Sequence, residues 1–516
     1  MKSPIKKEKR KKDWYRLKQY PHIGLLLEPK DRIWIEPYVK SKKNIEKHAF
    51  FPFIHRRLVV RKFRKEIYHD GTRSLLRKPS NKQRKIFYSN HLDSNVYSYY
   101  AEILSKEYEK TLSKMGISEC ITAYRQVKVD ASNINSRNKC NIDFANDVFQ
   151  FIKQSKGTNL VAITFDIKSF FDNLNHKLLK KYWRKVINSG NDLPPDHYNV
   201  FRNITKFSYI NENDLFLEFK DKIIVERNPG ITKEAKIKNK IYLRNKRAVA
   251  YCSKDDIDLL RRRNLIKANK YNFENGKTLG LRVKGIPQGS PISSILANVY
   301  MLEFDKSAND LLKDVGGIYR RYSDDMIAVC RIDYEEIIID HFLKTIENYL
   351  LEIQTEKTHI FHFYFDSSKN RHMCFEKNVQ TKSLQKNTFF EFLGFQFDGY
   401  FTMLKSSSIS GYYRKMKRGF ARGRFYTFHN RTKTKGELFK SRLYKRFTHL
   451  GSSRRRKYIR DPNHSNRFIL SYRYDWGNFL TYAKLAAKTI PDNKIQGQVR
   501  RHWKKFHDLI HAIESK

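Results

Sequence analysis

Residues 318–332 read IYRRYSDDMIAVCRI. Two strand-like arms flank Ser-Asp-Asp, which predicts a β-hairpin carrying Asp324 and Asp325 at its tip. Turns favour aspartate on their own account, so the pair gains meaning only from its company. That company is LVAITFDI (160–167), a nearly continuous apolar run reaching Asp166. Such a run predicts a strand buried on both faces. If this strand lies beside the hairpin, Asp166, Asp324 and Asp325 converge at the ends of rigid elements. Carboxylates so placed suit divalent cations, and phosphoryl transfer needs little else from a protein than two such ions about 4 Å apart.

Working outward, PISSILANVYMLEFDKSANDLLKDVG (291–316) predicts one helix starting at proline and stopping at glycine, and YEEIIIDHFLKTIENYLLEI (334–353) predicts a second, amphipathic one. THIFHFYF (358–365) and FFEFLGFQFDGYFTML (389–404) read as strands. Upstream, residues 96–116, 143–155 and 176–190 have helical periodicity, and ECITAYRQVKV (119–129) is strand-like. Residues 190–283 are polar and Asn-rich, with strand-like DKIIVE (221–226) and KIYLR (240–244) and no function readable from composition. Residues 50–66 (FFPFIHRRLVVRKFRKE) fit a nucleic-acid contact and a strand with one solvated face equally well. The order predicts an α+β fold, a mixed sheet with helices on one face.

Lys and Arg number 104 against 53 Asp and Glu, a net charge of +51 spread along 516 residues. That field implies a polyanionic partner rather than a small metabolite, a membrane surface or a mere basic tail. Between 405 and 457 there are 18 Lys or Arg and a single acid, Glu437. Residues 1–13 form a further basic arm, and aromatics at 14% suit stacking on exposed bases. Five cysteines without a C-x-x-C pair point to a reducing compartment, and the neighbours His372 and Cys374 read as ordinary rather than as metal ligands. No apolar run reaches spanning length and no signal-type segment opens the chain, so a cytoplasmic protein without a membrane partner is expected.

The ordered set FDIKSFFDNLNH (165–176), GIPQGSPISSILAN (285–298), YRRYSDDM (319–326), TEKTHI (355–360) and FEFLGF (390–395), with AYR (123–125) upstream, resembles motifs A to E and the fingers element of reverse transcriptases. The resemblance covers roughly 165–400. It implies a right-hand polymerase fold with fingers, a palm on a mixed or antiparallel sheet, and a helical thumb. The corresponding divisions are 1–90 (basic extension), 91–160 (fingers), 161–405 (palm, with a fingers insertion at about 177–284) and 406–516 (basic helical thumb). It implies that Asp166, Asp324 and Asp325 hold two Mg²⁺ ions, with Mn²⁺ as an alternative. Phe171 matches the steric gate against a 2′-hydroxyl. Gln288 and Gly289, with Pro287, match the turn beside the incoming nucleotide. Arg125 and Lys128 match cations on the triphosphate, and Lys357 a proton donor to pyrophosphate. Leu393 and Gly394 fall in a primer-gripping hairpin.

The blocks KCNIDFANDVFQFI (139–152), GIPQGSPISSILANVYM (285–301) and NFLTYAKLAAKTI (478–490) with VRRHWKKF (499–506) are most similar to bacterial defence-associated reverse transcriptases of the unknown-group and abortive-infection class. This implies an RNA-directed DNA polymerase, a nucleotidyltransferase using dNTPs, an RNA template that is a structured noncoding RNA, a DNA product, and a role in antiviral (antiphage) defence. Template-independent or protein-primed synthesis at the same site, and a non-catalytic RNA-binding scaffold, are the alternatives; Phe171 speaks against an RNA product. In the tail, Phe479, Tyr482, Ala483 and Ala486 recur at helical spacing, as in a thumb that packs on one face and holds nucleic acid on the other. A homo-oligomer is left open.

Overall fold

The computed structural model describes residues 13–67, 73–133, 136–228, 230–274, 277–379, 381–386, 388–429, 436–448, 456–461, 464–474 and 477–515. Nearly all of the basic arm at 1–13 therefore lies outside the described residues. The centre is a six-stranded sheet in the order Ile318–Tyr322, Asp325–Arg331, Leu160–Asp166, His359–Asp366, Arg371–Lys377, Leu384–Gln385. Every pairing in it is antiparallel.

The apolar run at 160–165 has a direct cause in this sheet. Successive side chains alternate faces, and both faces are covered. Val161, Ile163 and Phe165 enter the largest core, with Leu296, Phe304 and Phe342 from the helices Ser293–Tyr300, Leu302–Asp314 and Glu335–Glu347. Leu160 and Ala162 enter a second core with Phe149, Phe363, Phe390, Phe397, Ala483 and Ala486. The expected single layer of helices is thus corrected. The other face carries the helix Asn141–Gln154, the Phe-rich three-stranded sheet of residues 390–404, and the helix Phe479–Thr489.

Other local expectations are corrected too. The helix expected over 291–316 is broken at Met301, whose ψ of 1° interrupts the helical ladder between Tyr300 and Leu302. Residues 119–129 form turns, tied to the sheet by one bridge from Ile121 to Arg321; Tyr124 sits at φ +63°, incompatible with an extended run. DKIIVE does form a strand, Ile223–Asn228, but KIYLR contains the 3-10 turn Lys240–Tyr242. The tail is not wholly helical: Arg456–Asp461 and His464–Tyr474 pair as an antiparallel hairpin.

Residues 190–283 build a small core of their own, in which Leu215, Phe219, Ile223, Tyr251 and Leu260 pack with Ile23 and Ile54. The N-terminal part joins the main core through Trp14, Ile35, Val39 and Phe53. Residues 50–66 contribute the strand Phe53–Ile67, paired antiparallel with Arg73–Tyr88 and docked at its base on Ser208–Asn211.

Candidate active site

The antiparallel register places Asp325 directly opposite Asp166. Directly opposed residues send side chains to the same face with Cα atoms about 4.5–5.5 Å apart. The hairpin closes with Tyr322 opposite Asp325, leaving Ser323 and Asp324 as the two turn residues. Ser323 takes φ +64°, as the first position of a tight hairpin turn requires. The Asp324 carbonyl accepts from the amide of Ile167 at 3.3 Å, which ties the turn to the strand end. Carboxylates far apart in the chain are therefore neighbours.

Lys357 completes the group. The amide of Gln354 donates to the Asp166 carbonyl at 2.8 Å, and that of Lys168 to Glu352 at 2.9 Å. This lacing delivers the turn Thr355–Lys357 to the site, where Lys357 Nζ donates to Asp166 Oδ2 at 2.5 Å. Asp325 keeps an exposed face, yet desolvation by the surrounding protein, and then the charges of Asp324 and Asp166, raise its carboxyl from 3.8 to about 6. Lys357 and Lys405 oppose that rise. The site is a concentration of negative charge only partly compensated from within.

Oxygen-only donors of this kind fit Mg²⁺ or Mn²⁺. Among the described residues, however, no three His, Cys, Asp or Glu side chains stand close enough to hold an ion as they are. Asp166 is turned to the ammonium of Lys357, which takes the part of a cation there.

Phe170 is buried, and Phe171 is half-buried beside it with ring centroids 5.6 Å apart. The carbonyls of Phe171 and Leu174 accept from Ile286 (2.9 Å) and Gly285 (2.8 Å), stitching this turn to the segment that follows. There the Gln288 carbonyl accepts from the amide of Phe87 at 2.9 Å. Gly289 lies at φ +122°, and a Cβ on it would come within 2.6 Å of the Phe87 carbonyl oxygen. Only glycine permits so close an approach of two backbones.

The two cations matched to a triphosphate, Arg125 and Lys128, have protein partners. The Arg125 side chain is only 5% exposed and salt-bridges Glu109 at 2.6 Å. It also donates to the carbonyls of Ile121 (2.7 Å) and Ser118. Its donors are committed to bracing the 118–125 turns, and releasing them would leave buried carbonyls unpaired. Lys128 is exposed and donates to the Ser136 carbonyl at 2.9 Å. Neither contacts the carboxylate group. Leu393 and Gly394 form the turn between the strands Phe390–Phe392 and Phe395–Phe397, at φ +46° and +90°.

A buried network behind the hairpin was not anticipated. Arg321 and Asp305 are both fully buried, joined by two contacts of 2.7 and 2.6 Å. Arg321 also donates to the Ser323 carbonyl (3.0 Å) and to Asn298 Oδ1 (3.2 Å), and Tyr319 donates to Asp305 (2.9 Å). Tyr124 and Ser323 hydroxyls meet at 3.2 Å. The readable signal was positional: Arg321 lies one residue out of phase with Arg320, so one of the two had to point inward.

Residues 242–397 match the family described as "Reverse transcriptase (RNA-dependent DNA polymerase)". The match includes Gln288, Gly289, Asp324, Asp325 and Lys357; Asp166 lies before it and joins through strand pairing, and Phe171 through the bond its carbonyl accepts from the Ile286 amide. No curated protein matches the sequence. Among solved structures, apo telomerase from Candida tropicalis is similar at TM-score 0.38 and 13% identity, over 94% of this chain and 64% of that one. A form truncated from the C-terminal domain is similar at 0.31 and 14%, over 69% and 60%. Telomerase from Candida albicans in complex with a TWJ fragment of telomeric RNA gives 0.36 and 12%, over 97% and 68%. The chain thus spans about three-fifths of the length of the two Candida tropicalis chains.

Proposed function

We propose that this protein is a reverse transcriptase that extends DNA on an RNA template with dNTPs, by phosphoryl transfer at Asp166, Asp324 and Asp325. The observation that carries this is the register placing Asp166 opposite Asp325, beside a segment that matches a reverse transcriptase domain. On this reading residues 91–160 serve as fingers, 161–405 as palm and 406–516 as thumb. The helix Ser406–His429 supports the last: it buries Tyr412, Met416 and Phe420 and exposes Arg414, Lys415, Arg418 and Arg422. We take the RNA to be a structured noncoding RNA and the setting to be cytoplasmic antiphage defence, on the sequence blocks quoted above. Among the described residues no helix is long and apolar enough to cross a membrane. The test is to purify the protein, sequence the RNA that accompanies it, and offer labelled dNTPs with Mg²⁺. Absence of incorporation on that RNA would count against the proposal.

Asp166, Asp324 and Asp325 would hold the divalent ions. When bound, these supply charge neutralisation to the phosphates and acidify the attacking hydroxyl. Lys357 would hold the proton that passes from Nζ to the departing pyrophosphate. In the metal-free protein the same ammonium occupies Asp166 and competes with a cation. Lys357→Met is therefore expected to tighten Mn²⁺ binding by roughly two- to fivefold, the worth of a partly exposed ion pair, while slowing incorporation. Electron paramagnetic resonance of free Mn²⁺, without nucleotides, measures the first effect; unchanged or weaker binding contradicts it.

Phe171 would close the pocket against a 2′-hydroxyl, since its ring offers that group neither room nor a hydrogen bond. Phe171→Ala is expected to raise ribonucleotide use relative to dNTPs by at least about tenfold, because an obstructing ring worth about 1.4 kcal/mol is a factor of ten. Competition between matched dNTP and NTP measures it, and unchanged sugar discrimination removes Phe171 from the gate.

A further inference from the structure

Beyond the catalytic cleft, the most unusual feature is the ribbon formed by Phe53–Ile67 and Arg73–Tyr88. Strands of 15 and 16 residues, at about 3.3 Å per residue, reach roughly 50 Å. Only Phe53, Ile54 and His55 pair with another strand, so past His55 neither edge of the ribbon is joined to a sheet among the described residues. Isolated two-stranded ribbons are marginal in water, and this one carries an added burden of charge. Residues 53–88 contain 12 Lys or Arg and 2 Asp or Glu.

The placement of the charges is more telling than their number. Arg57 stands directly opposite Lys85. Both are exposed, and neither meets an acidic side chain among the described residues. Like charges directly opposed destabilise a strand pair. Arg84 is exposed on the other face, opposite Leu58, and Arg56 is tied to Glu212 only by a 3.6 Å contact. Basic residues do guard free strand edges against pairing, but that purpose needs no opposed cations. Opposed cations on an exposed ribbon suit a polyanion that draws them together and releases their counterions.

We propose that the ribbon is a phosphodiester-binding arm, holding a nucleic-acid strand outside the carboxylate cleft through Arg57 and Lys85. Its base fixes where that strand runs. On the face bearing Arg57 and Lys85, the preceding cross-strand pair is His55 and Phe87, stacked at 4.8 Å. The amide of Phe87 is bonded to the Gln288 carbonyl. The arm therefore begins at the turn beside which the reading above places the incoming nucleotide.

The experiment is binding alone, in the full chain, without nucleotides or divalent metal, so that its outcome is independent of catalysis. Anisotropy of a labelled 30-nucleotide RNA and of a DNA of the same sequence is followed across a salt series. The parent is compared with R57E/K85E, with R57Q/K85Q, which removes the two charges without reversing them, and with K233E/K238E, the same change in net charge on exposed residues outside the ribbon. The double reversal is expected to weaken binding at least tenfold and to flatten the slope of log K against log salt by about 1.4, two contacts at about 0.7 each for a single strand. R57Q/K85Q is expected to share the change in slope, and it decides the matter if the reversal variant does not fold. Loss for RNA alone assigns the arm to a template-type strand, and loss for DNA alone to a product strand; either supports the proposal. Affinity within twofold of the parent, or a loss no larger than that of K233E/K238E, overturns it. So does a shift from dimer to monomer in sedimentation with nucleic-acid affinity unchanged, which would make a second copy the occupant.

Discussion

Alanine at both Asp324 and Asp325 is expected to abolish dNTP incorporation while leaving RNA bound. Metal-borne stabilisation of a phosphoryl transition state amounts to several kcal/mol, and each 1.36 kcal/mol is tenfold. The loss is therefore at least about a thousandfold. RNA affinity rests on a net charge of +51 carried all over the chain, and removing two acids makes the cleft more attractive to phosphates, not less. Folding is expected to survive for a physical reason. Asp325 is raised to about 6 by desolvation and then by Asp324 and Asp166, so the three acids repel one another in the metal-free protein. Deleting two of them relieves that repulsion, and the thermal midpoint in chelator is expected to match or exceed the parent's. Incorporation above a tenth of the parental rate, with unchanged RNA affinity, would show that the chemistry is elsewhere.

The three carboxylates were legible because their positions depend on chain-local facts: an apolar run ending on Asp166, and two short arms around Ser323-Asp324-Asp325. Strand pairing then leaves little freedom, since a slip of one residue would turn every side chain to the wrong face. Arg125 shows the limit of the same reasoning. A sequence shows that a cation exists, not which way it points, and Glu109 on the helix His91–Met115 decides that. The break at Met301 had no proline or glycine to announce it. The C-terminal hairpin did have a signal, Asp461-Pro462-Asn463 between KYIR and RFILSYRY, obscured by the helical pattern on either side. The second covered face of the sheet needed contacts from residues more than 300 positions apart, such as Ala162 with Ala486 in one core, which no local pattern contains.

Breaking the Arg321–Asp305 pair from one side is expected to cost about 3–5 kcal/mol, because it leaves an uncompensated charge at full burial. Either Arg321→Met or Asp305→Leu alone is then expected to unfold at distinctly lower urea. Replacing the network together, as R321M/D305L/Y319F, removes the charges and the tyrosine donor at once, and stability is expected to return to within about 1–2 kcal/mol of the parent, since well-packed apolar groups substitute for buried ion pairs at little cost. Rate is expected not to return with it. Arg321 holds the Ser323 carbonyl at 3.0 Å, one residue before Asp324, and its own backbone is bonded to Cys120 (2.7 Å) and Thr122 (2.9 Å). Without the guanidinium the turn bearing the two aspartates loses its buried clamp, and a site about 1 Å out of place loses on the order of a hundredfold. Urea titration and single-turnover incorporation on the same three proteins separate the two effects. If the triple variant regains rate along with stability, Arg321 serves the core alone; if it regains stability only, Arg321 positions the carboxylates, and the buried charge persists because the turn needs it.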